Sequence, residues 1–335
     1  MKVKNIGRMD FQLQVKSPYI VCFHHKDHFP AGNGKGEPVH YLKDRRAGED
    51  FNHTAPWRMY YGDKVPGFPV HPHRGFETIT VMIDGFADHF DSKGSKGRYG
   101  EGDVQWMTAG AGVQHSEMFP TLSSEKDNPM ELYQIWLNLP KSGKFAEPDY
   151  KMFWNEQIPV VEEGTAGALT RIKVISGAYK DTQALTPPSA SWAFDKENHV
   201  RIWLIDMDPE TEFVIPKVSP TISRMLYYDE GKSVSLEGTA FEVKHYAELD
   251  GNEDIRIKNG SERSRFLLLE GEPINEPVAA YGPFVMNTRT EIQEAFAEYE
   301  ETAFGGWPWD RNDPINPVDS GRFASYRNGE KVEKP

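Results

Sequence analysis

Two tandem antiparallel β-barrels, followed by one C-terminal helix and a tail, are what this 335-residue sequence predicts. Three observations carry that reading. Short apolar runs recur at strand-like spacing between glycine-bearing turns, the signature of a sandwich or barrel. The same texture resumes after a break near residues 139–150. Only one stretch, close to the end, has a convincing helical period. At roughly 100–200 residues per domain the length fits about two domains. The 29 glycines and 24 prolines supply the turns that many short strands need.

Taken in order, the first apolar run is YIVCF (19–23), in which Cys22 reads as a buried core thiol. The segment HHKDHFPAGNGKGEP that follows reads as a loop, and its His24, His25 and His28 as solvated. TITVMI (78–83), VQWM (104–107) and LYQIWLNL (132–139) read as strands, with DG, SKG and GEGD turns among them. LPKSGKFAEPDY (139–150) reads as the linker. Beyond it come LTRIKVISG (169–177), VRIWLIDM (200–207), EFVIP (212–216), SRMLYYD (223–229) and RFLLLEG (265–271). No literal repeat relates the two halves. Thr288 and Glu291 make a T-x-x-E capping box. Ile292, Ala295, Phe296 and Tyr299 then follow at helical spacing, and Gly305-Gly306 is the expected stop. Trp307, Trp309, Phe323 and Tyr326 predict that the proline-rich tail docks on the surface. The expected domains are 1–145, 146–286, and a helix and tail at 287–335.

Charge and cysteine content narrow the function. The net charge is −13, from 38 Lys+Arg against 51 Asp+Glu. A general nucleic-acid or membrane-surface binder needs a basic footprint that is missing here. A single cysteine excludes an internal disulfide and a cysteine-based zinc site. The start, MKVKNIGRMD, has no apolar h-region, and no run of 18 apolar residues exists, so a cytoplasmic protein is expected.

The chemistry concentrates in HPHRGFET (71–78) and AGAGVQHSEMF (109–119). Residues i and i+2 of a strand share a face, about 6–7 Å apart. His71 and His73 can therefore converge on one ion, and His115 and Glu117 repeat the arrangement. Three imidazoles and a carboxylate suit Fe(II), Mn(II), Ni(II), Cu(II) or Zn(II). Glu77 competes for the carboxylate role but lies about 13 Å beyond His73 on a straight strand. It reads instead as a group that orients a ligand imidazole.

These two segments resemble the two cupin motifs, and the wording HPHRGFETIT followed by GDVQWMTAGAGVQHSEMF resembles the pirin family. GEPINEPVAAYGPFVMNTRTEI (271–292) is similar to the C-terminal signature of that family, so the resemblance spans about 19 to 304. It implies two jelly-roll cupin barrels, with one divalent metal per chain, Fe(II) first, on His71, His73, His115 and Glu117. The second barrel should then be metal-free. Cupins in general use the first-motif glutamate, here Glu77, whereas pirins use the one after the last histidine. The segment 28–67 is longer than expected for a pirin and bears on the pocket mouth.

The resemblance implies two competing functions. One is quercetin 2,3-dioxygenase-type cleavage of a flat, flavonol-like substrate by O2, with Glu117 as general base. Phe68, Met82, Gln134 and Trp136, beside the ligand strands, are the candidate pocket residues. The other is an iron-binding, redox-responsive regulator of a protein partner, a transcription factor or metabolic enzyme. Every ligand residue serves both.

Overall fold

The computed structural model describes residues 1–40, 46–48, 55–58, 60–327 and 329–334. Part of the long 28–67 segment, namely 41–45, 49–54 and 59, lies outside the described residues. Strands dominate. The first ten are β1 (Val3–Arg8), β2 (Tyr19–Phe29), β3 (Gly67–His73), β4 (Phe76–Asp84), β5 (Phe86–Asp91), β6 (Lys96–Gly100), β7 (Val104–Thr108), β8 (Val113–Met118), β9 (Asn128–Asn138) and β10 (Asp149–Phe153). Next come β11 (Val160–Thr165), β12 (Ala168–Ser176), β13 (Ala178–Tyr179), β14 (Thr182–Gln183), β15 (Arg201–Met207), β16 (Glu212–Ile215), β17 (Ser223–Glu230) and β18 (Val234–Leu236). They continue as β19 (Thr239–Phe241), β20 (His245–Leu249), β21 (Ile255–Asn259) and β22 (Ser264–Gly271). The chain closes with β23 (Ala279–Tyr281), β24 (Phe284–Met286), helix α1 (Arg289–Thr302), β25 (Phe323–Ser325) and β26 (Lys331–Glu333). No helix among the described residues is long and apolar enough to cross a membrane.

The chain forms two compact units, each discontinuous in sequence. Met1–Phe23 joins Glu156–Asn275 in one; His24–Asn155 joins Glu276–Pro335 in the other. This division differs from one cut near 145 and 286, for reasons visible in the pairing. β1 adds to β20, so the N-terminal strand completes the later unit. β10 pairs with β7, so residues 149–153 belong to the earlier barrel rather than to a linker. Helix α1 packs Ile292 and Ala295 against Phe284 and Met286 of β24.

The unit built on Glu156–Asn275 has a seven-stranded sheet, β1-β20-β17-β22-β15-β12-β11, and a four-stranded one, β16-β21-β18-β19. Its core alternates along each strand. Ile172 and Val174, Trp203 and Ile205, Leu226 and Tyr228, and Phe266 and Leu268 all point inward. Cys22 is fully buried, and burial pushes its thiol up.

The other unit has a five-stranded sheet, β10-β7-β4-β9-β2, and a six-stranded one, β26-β25-β6-β5-β8-β3. Met82, Tyr99, Leu132, Tyr150, Met152 and Trp154 are among its core residues. The HHKDH segment is not a loop. β2 runs through it to Phe29, with His25, Asp27 and Phe29 buried and Lys26 and His28 exposed in strict alternation. Burial is tolerated because the polar groups are partnered. The Tyr60 hydroxyl donates to Asp27 Oδ2 at 2.7 Å and sits 2.7 Å from His25 Nδ1. His24 Nε2 lies 3.1 Å from Glu131. Burial lowers the His25 pKa to about 3.

Helix α1 has the expected capping box at Thr288 and Glu291, but it ends at Ala303, in a left-handed conformation, before the glycines. The tail docks through backbone pairing. β25 adds to β6, Trp309 Nε1 donates to Asp91 O at 2.8 Å, and the buried Arg98 donates to the carbonyls of Asn316, Pro317, Val318 and Ser320.

Candidate metal centre

Two adjacent strands of the six-stranded sheet build the site. β3 and β8 run antiparallel with His71 opposite His115. The register slips between Phe68 and His71, a bulge that re-aims the strand end. Pro69 sits in the slipped stretch, where a missing N–H costs no ladder bond. Its carbonyl, 2.8 Å from His71 Nδ1, accepts that proton and leaves Nε2 facing inward. His73 Nδ1 is likewise directed at Pro283 O, at 3.3 Å.

The ligand atoms of His71, His73 and His115 all lie within 4.8 Å of one another, and the ring centroids are 4.5–4.9 Å apart. Burial lowers the His71 pKa to about 4 and puts His73 and His115 well below the usual imidazole range. All three are therefore neutral at pH 7, the ligating form. His115 is fully buried, and among the described residues neither of its ring nitrogens has a hydrogen-bond partner. Such an orphaned imidazole is costly unless something else satisfies it. Together with the inward Nε2 atoms of its neighbours, it fits a divalent transition metal.

Glu117 stands beside this trio but outside the 4.8 Å set. Its Oε2 is 3.8 Å from His115 Nε2. Thr80 Oγ1 donates to Oε1 at 3.1 Å and Gln134 Nε2 donates to Oε2 at 2.9 Å. Burial raises the Glu117 carboxyl above its ordinary range, opposed by the neighbouring His89 and by these hydrogen bonds.

Glu77 is not brought to the imidazoles. Along β4, Phe76, Thr78, Thr80 and Met82 share one face; Glu77 is on the other. Its Oε1 accepts from Trp106 Nε1 at 3.0 Å and Thr108 Oγ1 at 2.7 Å, both on β7. The strand parity shared with His71 and His73 misleads, because the chain turns at Gly75 between them. Gly75 has φ +84°, and a Cβ there would sit 2.0 Å from Val285 O, so the turn requires glycine.

Of the four candidate pocket residues, three border the site. Trp136 lies 5.3 Å from His73 and Phe68 6.2 Å from His71 between ring centroids, and Gln134 holds Glu117. All three are half-buried. Met82 is fully buried in the barrel core with Tyr99 and Leu132, in the cluster that Phe68 packs against.

One neighbouring pair escaped the sequence reading. His89 and Asp91 on β5 lie opposite Glu117 and His115, buried, with His89 Nε2 3.2 Å from Asp91 Oδ2. The signal was available, since H-x-D at 89–91 has the same spacing as the two pairs singled out.

A two-sheet β-barrel whose adjacent strands gather three imidazoles beside a carboxylate defines a cupin with a candidate metal site. A family model described as Pirin matches residues 38–137, and one described as the Pirin C-terminal cupin domain matches 202–305. Pirin-1 of Arabidopsis thaliana is 37% identical over 242 residues, covering 71% of this chain and 78% of that protein. A Thermoplasma acidophilum protein, by name a candidate quercetin 2,3-dioxygenase, is 34% identical over 249 residues, covering 71% of this chain and 92% of its own length. Among solved structures, a quercetin 2,3-dioxygenase from Acinetobacter baumannii superimposes with a TM-score of 0.71 at 27% identity, covering 91% of this chain and 98% of the other. The chain belongs to the pirin family of two-domain cupins.

Proposed function

We propose that this pirin is a metal-dependent dioxygenase that opens the heterocycle of a flavonol in the manner of a quercetin 2,3-dioxygenase. The observation that carries the reading is the buried, unpartnered His115 beside two imidazoles whose free Nε2 atoms converge with it. The relatives named for that activity support it. The metal ligands are His71, His73, His115 and Glu117, with Fe(II) the first choice. When bound, the metal supplies a Lewis acid for the flavonol 3-oxygen and a partner for O2.

The chain's own groups then have separable tasks. Phe68 and Trp136, half-buried at the edge of the site, grip a flat aromatic ring. Glu117 takes the 3-hydroxyl proton as general base. Thr80 and Gln134 each occupy one carboxylate oxygen and fix its orientation. The ring then opens with incorporation of O2 and release of carbon monoxide.

Oxygen uptake on quercetin, normalised to bound metal, tests this. Uptake that rises with metal loading, with carbon monoxide in equal amount, is the expected result. Full metal occupancy without uptake across a flavonol panel would overturn the enzyme and leave a binding role toward a protein partner.

A further inference from the structure

Two consecutive residues of helix α1 reach the two ligand strands. Glu298 binds Arg74, the residue after His73, through both carboxylate oxygens at 2.7 and 2.8 Å. Tyr299 Oη donates to Gln114 Oε1 at 3.0 Å, and Gln114 is the residue before His115. Gln114 and Pro72 are opposed in the β3–β8 pairing, so the helix touches the same ladder from both sides.

Both receiving side chains are committed elsewhere in the same direction. Arg74 is 2% exposed; its Nε donates to Ala111 O at 2.6 Å, and its guanidinium lies 4.4 Å above the Phe304 ring. Gln114 Nε2 donates to Ala303 O at 2.8 Å and Gly306 O at 3.1 Å, beyond the helix end. Gly112 has φ +134°, and a Cβ there would meet the Phe304 ring at 2.6 Å, so the loop before His115 is pressed directly onto the same segment. On the other flank, Val285 N donates to Arg74 O at 3.0 Å, and the Pro283 carbonyl two residues earlier faces His73.

We propose that helix α1 is a clamp that sets the spacing of the His73 and His115 imidazoles, with Arg74 and Gln114 as the positioning residues and Glu298 and Tyr299 as the groups that hold them. The inference rests on the metal-site reading and is independent of the flavonol reaction. Outer partners of metal ligands change affinity by about 10–100-fold when removed. Half of the Glu298 side chain is exposed, so alanine there loses the ion pair without opening a cavity. Tyr299→Phe removes one hydroxyl.

The experiment uses the full chain loaded with Co(II). Glu298→Ala and Tyr299→Phe should each weaken Co(II) affinity by roughly 3–30-fold and the double variant by up to about 100-fold. The ligand-field bands should shift, and the metal-free protein should lose less free energy of folding than of Co(II) binding, because Arg74 keeps its Ala111 and Phe304 contacts. Glu298→Gln, which keeps an acceptor for the guanidinium, should recover most of the affinity and the parent spectrum. Unchanged affinity and spectrum in the double variant would overturn the clamp. So would a loss of affinity accompanied by an equal loss of stability in the metal-free protein, because that is plain structural damage. A wild-type chain that takes up no Co(II) would overturn the clamp and the metal site together, whereas stoichiometric wild-type uptake with indifferent variants removes the clamp alone.

Discussion

Lys144 lies within the stretch that reads as a linker, yet it is 1% exposed, and replacing it by methionine should destabilise the unit that carries the candidate metal site by about 3 kcal/mol. Its Nζ donates to Gly75 O at 2.8 Å, Asn138 Oδ1 at 2.7 Å and Val285 O at 3.0 Å. Methionine has a similar length and no donor, so three buried acceptors lose their partner at once. At about 1–3 kcal/mol each, the mid-range loss is about 6 kcal/mol. A relief opposes it. Burial lowers the Lys144 pKa from 10.5 to about 8. At about 1.4 kcal/mol per pH unit, holding the charge costs about 3 kcal/mol that methionine no longer bears. The sign of the pH dependence follows. Between about pH 8 and 10.5 the unfolded chain binds more protons than the folded one, so this group makes wild-type stability rise across that window, and the variant should lack the rise. Urea unfolding at pH 7, 8 and 9.5, with separate analysis of the two units, measures both effects. A loss below about 1 kcal/mol at pH 7, or the same pH profile in both proteins, would refute the reasoning.

Three further outcomes follow from the site. His71→Ala or His115→Ala should abolish stoichiometric metal binding, while the exposed His28→Ala should leave it intact, as read by metal analysis of purified protein. Glu117→Gln should lower flavonol turnover per bound metal by roughly 10²–10⁴-fold if the carboxylate is the base, and unchanged normalised turnover would remove that role. Gly75→Ala should cost more than about 2 kcal/mol, since a left-handed residue with a side chain is strained and Val285 O blocks the space; calorimetry of the metal-free protein checks it.

The barrels and the three imidazoles were legible in the sequence because both depend on period two. His71 and His73, like His115 and Glu117, share a face by spacing alone, and the observed register sets His71 against His115. What spacing could not supply is the geometry of turns. Glu77 has the parity of His71, but the left-handed Gly75 inverts the face between them. His24 and His25 looked solvated because a polar run imitates a loop, and their partners Glu131 and Tyr60 lie far away in sequence. Lys144 and Glu298 were invisible for the same reason. Each acts through carbonyls or a guanidinium on a strand that only folding brings near.

The unit that carries the candidate metal site is written in the chain as two pieces, His24–Asn155 and Glu276–Pro335, with the whole of Glu156–Asn275 between them. This sets an order of events during synthesis. All the candidate ligands leave the ribosome early, but Pro283, Glu298 and Tyr299 follow only after the intervening unit has been made. At about 5–20 residues per second the gap is roughly 10–30 s. Throughout that interval the nascent chain carries the three histidines without the segment proposed to hold them in place. The clamp proposal therefore assigns tight loading to the finished polypeptide, and on it a ribosome-stalled chain ending at Asn275 should release Co(II) far faster than the full-length protein.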